Sequence, residues 1–191
     1  TSTRHNVETS TIIHRNVRMH ILNLPILYLP YLAHPDWSVR RRSGFLAPSF
    51  VVNSDLGLTA FIPYYQVIDD TRDIEFTPYR YQHRGNALKT RYRQYWDNSE
   101  LNAAIYTASV ETYKKNRELV AAIDANYAAR IGNGWKVNMR LNRASQDTFM
   151  RRYKFDSSTS LKSEVVAEKL DTERYYRVEA SDIQGLSSSD T

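Results

Sequence analysis

The sequence predicts an all-β chain, an antiparallel meander of the kind that forms part of a membrane-spanning barrel. Three observations point there. Apolar and polar residues alternate from about residue 56 onward, in segments of roughly nine to twelve residues separated by short polar turns. Those segments exceed the five or six residues typical of sandwich strands and match the roughly nine to eleven that cross a bilayer at a tilt. The composition, 14 Tyr, 3 Trp and 6 Phe beside only 6 Gly and 6 Pro, favours strands.

Residues 1–35 have a different texture from the rest: short β-like runs end in a proline-punctuated stretch that should be extended and irregular. Its apolar core, Ile21 to Ala33, is cut by Pro25 and Pro30, too short and too broken for a transmembrane helix. The start, TSTRHNVETST, is polar and lacks Met, so the chain reads as a fragment of a longer one. A junction is expected over 36–43, and residues 44–191 should supply about nine strands.

The first two of these strands flank a turn at Asn53-Ser54-Asp55, and each contains a proline, Pro48 and Pro63. Proline gives no N–H to a ladder and normally keeps to edges, strand starts and bulges. Further strands are expected at Arg72 to His83, Glu100 to Val110, Lys162 to Leu170 and Glu173 to Ile183, with turns at Arg84-Gly85-Asn86 and Gly132-Asn133-Gly134. Ser145 to Ser160 breaks the alternation and is expected as an irregular loop with a short helical turn near Thr148 to Tyr153.

Two faces of unlike chemistry follow from the alternation. In WKVNMRLNR, Trp135, Val137, Met139 and Leu141 share the apolar face, which Ile123 and Tyr127 of the preceding strand extend. Lys89, Arg91, Arg93, Arg130, Lys136 and Arg140 stack on the other face with few acids among them, a basic lumen lining if the sheet closes into a barrel. Aromatics at strand ends (Tyr64 and Tyr65, Tyr79 and Tyr81, Tyr95 and Trp96, Trp135, Tyr175 and Tyr176) suit girdles at the two membrane interfaces. A soluble sandwich would alternate as well, with the same apolar residues turned inward, and a porin would use the same basic face for anion selectivity. Both alternatives stay open on pattern alone.

From PILYLPYLAHPDWSVRRRSGFLAPSF the sequence resembles the LptD family of outer-membrane lipopolysaccharide-assembly proteins, also called the OstA or organic-solvent-tolerance family. The similarity rests on Pro25, Tyr28, Pro30 and Tyr31, on Ser43 to Pro48, on Pro63 to Tyr65, and on TPYRYQHRGN and NRASQDTFMRRY further along. The resemblance implies that residues 1–35 end a periplasmic jelly-roll and that residues 44–191 begin a very large barrel of the Gram-negative outer membrane. It implies lipopolysaccharide as cargo, an outer-membrane lipoprotein plug similar to LptE, a periplasmic bridge protein similar to LptA, and a lateral gate weakened at Pro48 and Pro63. Many members also carry inter-domain disulfides, which this stretch cannot form within itself because it holds no Cys.

Other candidate sites read as structural. His14 and His20 are about 20 Å apart along a strand, too far to share a metal ion. Asp69, Asp70, Asp73 and Glu75 cluster at a turn without a Ser or His arranged as nucleophile and base, and read as solvated acids. The Arg40 to Arg42 run reads as a solvated junction. No catalytic residue, cofactor or metal is expected, and the net charge of +5 is too mild to indicate nucleic acid.

Overall fold

A computed structural model describes residues 2–6, 11–21, 24–35, 41–111 and 117–186. The chain forms two compact units, Thr1–Gly44 and Phe45–Thr191, and the expected junction over 36–43 lies within the first. Residues 36–40 of that junction lie outside the described residues.

The first unit is a three-stranded antiparallel sheet of β1 (Ser2–Asn6), β2 (Thr11–Ile21) and β3 (Leu24–Pro35), in that order. The proline-punctuated stretch is therefore not irregular, as its prolines suggest; it is a twelve-residue strand. Among the described residues β3 has one neighbour, β2, so a proline can turn its missing donor away from the ladder. The register also skips Pro30: Arg15 pairs with Tyr31 and Val17 with Leu29, while Asn16 between them takes a positive φ of 56°.

The second unit is a meander whose nine-strand path is antiparallel throughout. It comprises β4 (Gly44–Phe45), which begins at the last residue of the first unit, β5 (Ser49–Asn53), β6 (Gly57–Phe61), β7 (Tyr64–Val67), β8 (Arg72–Tyr81), β9 (Gly85–Trp96), β10 (Ser99–Glu111), β11 (Arg117–Ile131), β12 (Trp135–Ala144), β13 (Ser160–Leu170) and β14 (Tyr175–Gly185). The continuous path β14-β13-β12-β11-β10-β9-β8-β6-β5 holds nine ribbons, and β4 and β7 continue the first two of them. Among the described residues the first two of these ribbons are each broken in two.

Local chemistry sets the turns. Asn53 Oδ1 accepts the Asp55 N–H at 2.8 Å, closing the first hairpin with an Asx turn, and Gly57 leaves it with φ +68°. An added Cβ at Gly57 would lie 2.6 Å from Gln82 Oε1, whose oxygen meanwhile accepts the Leu58 N–H at 2.9 Å. At Gly132–Gly134 a single 3-10 turn is made possible by Asn133 at φ 61° and Gly134 at φ 80°. The connections at this end of the sheet are all short: 68–71, 97–98, 132–134 and 171–174. The long connection, between β12 and β13, leaves the opposite end and contains α1 (Phe149–Arg152), the helical turn expected there.

That connection is packed rather than irregular. Phe149, Met150 and Tyr153 are 1–3 % exposed and join Tyr81, Tyr106, Ala108, Val110 and Val120 in a buried hydrophobic cluster. Tyr81 Oη donates to the Tyr153 carbonyl at 3.2 Å, Tyr153 Oη to the Arg84 carbonyl at 3.4 Å, and Arg151 reaches the Leu186 carbonyl at 2.5 Å. Burying a Phe side chain stabilises by about 1.5–3 kcal/mol, enough for three such residues to hold a fifteen-residue segment against the sheet.

Candidate functional site

The breaks in the first two ribbons fall at the two prolines. Pro48 immediately precedes β5, and Pro63 separates β6 from β7. Between β5 and β6 the register runs from Asn53↔Gly57 to Ser49↔Phe61 and stops there. Pairing resumes one residue out of step, where the Leu46 N–H donates to the Pro63 carbonyl at 2.8 Å and β4 joins β7. Ala47 and Pro48 occupy the slip. A proline inside a ladder leaves its partner carbonyl without a donor, and two of them on facing strands leave neither strand a regular path.

Cross-strand register shows how the remaining wall is faced. One row runs Leu101, Tyr127, Met139, Val165 and Ala180 across β10 to β14, and beside it Ile131 pairs with Trp135 and Ala129 with Val137. Ile123, Tyr127, Trp135, Val137, Met139 and Leu141 all belong to this face, and none of them is buried. Met139 and Leu141 are each 44 % exposed, and Leu119 on the same face is 73 % exposed. An apolar surface that spans five strands without a covering layer from the described residues of the second unit is far beyond what a soluble monomer tolerates.

The opposite face gathers Lys89, Arg91, Arg93, Arg130, Lys136 and Arg140. Here the expectation of few acids needs correcting. Asp73 stands opposite Arg93, Glu75 opposite Arg91, Glu168 opposite Lys136 and Glu164 opposite Arg140. The face is polar and carries both signs, because β8 and β13 bring acids against the basic strands between them. Arg130 and Lys136 are register partners, and Lys89 holds its ammonium 5.4 Å from the centre of the Tyr106 ring. Arg140 Nε donates to Asn126 Oδ1 at 3.1 Å.

Two further readings change. Asp73 is not a solvated turn acid: it is 3 % exposed, accepting from Arg93 Nε at 2.8 Å and from Tyr65 Oη at 3.1 Å. The Arg93 guanidinium also lies 5.8 Å from the Tyr65 ring centre, so three strands meet in one clamp. Asp69 does stay at the turn, where hydrogen bonds from the Arg72 side chain and the Thr71 N–H hold its carboxyl well below the usual range. The second change concerns the aromatics. Tyr79 and Tyr81 are not girdle residues; they lie on the polar face under the long loop, Tyr81 only 2 % exposed. Tyr95 and Tyr175 likewise belong to the polar face, since their register partners do. On the apolar face two aromatic pairs sit at the short-turn end, where Trp96 packs edge-on to Tyr127 at 6.3 Å and Trp135 lies 6.4 Å from Tyr176, while Phe50, Tyr64 and Phe76 share that face nearer mid-wall.

His14 hydrogen-bonds Thr3 Oγ1 at 2.9 Å, and no group of three or more His, Cys, Asp or Glu among the described residues could hold a metal ion.

A family model described as "LptD protein" matches residues 12–178. Curated relatives described as "LPS-assembly protein LptD" are 28 % identical over 150 residues in Shewanella frigidimarina and 29 % over 160 residues in Pseudoalteromonas translucida. A third, from Chromobacterium violaceum, is 30 % identical over 141 residues. The matches take in 76 %, 84 % and 74 % of this chain but 19 %, 20 % and 18 % of the relatives, so the chain spans about a fifth of their length.

Proposed function

Because the chain belongs to the LptD protein family, we propose that it supplies the opening strands of an outer-membrane barrel that exports lipopolysaccharide. On this reading residues 44–191 are the barrel's first strands and residues 1–35 the end of a periplasmic jelly-roll. The apolar face meets hydrocarbon, the polar face lines a wet lumen for the sugar portion, and acyl chains leave through the first ribbons. A lipoprotein plug similar to LptE and a bridge similar to LptA are the expected partners. Transport of this kind needs no covalent chemistry and no cofactor.

The observation that carries the proposal is the paired break at Pro48 and Pro63, set in a wall that exposes apolar residues along one face. Each restored donor would stabilise the closed ladder by about 0.5–1.5 kcal/mol. In the complete protein, Pro48→Ala with Pro63→Ala should slow the arrival of lipopolysaccharide at the cell surface while leaving barrel assembly intact; unchanged export removes the gate. A passive channel is the second reading, favoured by one observation, the long loop lying on the polar face as a constriction would. Steady ion conductance through the purified protein in planar bilayers, without export by the same protein in vesicles, would decide for it.

A further inference from the structure

We infer that Pro78 is a third gate residue, which extends the weakened seam from the first two ribbons into β8. The inference rests on the gate reading above but on separate geometry.

In an antiparallel pair the N–H and C=O of one residue face the same neighbour, and successive residues alternate. Just beyond β8 the Gln82 N–H donates to the Leu58 carbonyl of β6 at 3.0 Å, whereas Tyr95 of β9 donates to the Thr71 carbonyl just before β8 at 2.9 Å. Even-numbered residues here therefore face β6 and β7, and odd-numbered ones face β9. Pro78 is even. Its ring nitrogen stands where an N–H would cross to Ile62 if the register on either side ran straight through.

The ladder is interrupted at that level. β6 pairs with β8 as far as Phe61↔Tyr79, and β7 takes up the same register at Tyr64↔Phe76. On the β9 side, by contrast, Pro78 pairs with Leu88 without interruption. Pro63 completes the pattern from the other direction: its carbonyl faces Leu46, so its nitrogen faces the β4–β5 ribbon. Two adjacent seams thus each lose one donor at one height, and Pro48, Pro63 and Pro78 recur at intervals of fifteen residues.

Ties lie on both sides of this crease. Toward the long loop the Phe61 and Tyr79 rings are 4.8 Å apart, and Tyr79 meets Phe155 at 5.2 Å. Toward the short turns the Asp73 clamp fastens Tyr65 and Arg93. With both halves of the β6–β7 ribbon fastened to β8, the wall bends along the proline row instead of unzipping from one end.

The test uses the complete protein in cells for export and in purified form for amide hydrogen exchange over residues 58–66, with Pro63→Ala, Pro78→Ala and Pro78→Gly. Both Pro78 variants should assemble normally, slow exchange at the crease, and slow export about two- to tenfold, the factor expected for one added ladder hydrogen bond. If Pro63→Ala slows export and the Pro78 variants do not, Pro78 is no gate residue though the gate stands. If none of them slows it, the gate reading itself fails. An effect of Ala without an effect of Gly would assign the role to backbone stiffness and overturn the donor argument. Failure of the Pro78 variants to assemble would contradict it too, because an added donor should stabilise the closed wall.

Discussion

Asp73 carries more of this wall than its neighbourhood in the sequence suggests. It sits among Asp69, Asp70 and Glu75, which makes it read as one more solvated acid. What buries it is the register that sets Arg93 opposite it, twenty residues further on, together with Tyr65 on the other side. A carboxylate that is 3 % exposed and accepts from a guanidinium contributes more than an exposed ion pair would. Asp73→Asn should lower the stability of the complete barrel by about 2 kcal/mol, read as a lower urea midpoint for loss of the folded band on gels. An unchanged midpoint would mean that the clamp is spectator geometry. Tyr81 makes the same point about legibility: aromatic identity near a strand end suggested a membrane interface, but parity puts its ring under Tyr153.

Among the strands, the two-faced character was readable in advance and the charge of the polar face was not. Alternation within β12 alone separates Trp135, Val137, Met139 and Leu141 from Lys136, Asn138 and Arg140. The balance of charge depends on which strands flank it, and the acids that answer Arg140 and Lys136 come from β13 across a fifteen-residue loop that the pattern leaves unpaired. The broken first ribbons were legible as prolines, but the one-residue slip beside Pro48 was not, because slips are fixed by pairing rather than composition. The face assignment has a direct energetic consequence. Met139→Arg should destabilise the membrane-embedded barrel by about 2–4 kcal/mol, while Asn138→Arg, one residue away, should cost under about 1 kcal/mol. Comparable costs for both in lipid-bilayer unfolding titrations would mean that β12 does not separate lipid from water.

For the whole wall, the decisive fact is an apolar surface across β10 to β14 that no layer of the second unit covers. The fifteen-residue connection leaves the end opposite the turns at 68–71, 97–98, 132–134 and 171–174, an end that also holds the short connections 54–56 and 82–84. Everything proposed about export presumes that this surface lies in hydrocarbon, because only then does a gap in the ladder become a route rather than a defect. Spin labels placed one at a time at Val137, Asn138, Met139, Arg140 and Leu141 of the complete protein in bilayers measure this. Collision with oxygen, which concentrates in hydrocarbon, should peak at 137, 139 and 141, and collision with a water-soluble nickel chelate at 138 and 140. Low oxygen collision at 137, 139 and 141 would place them in a dry protein interior and contradict the barrel.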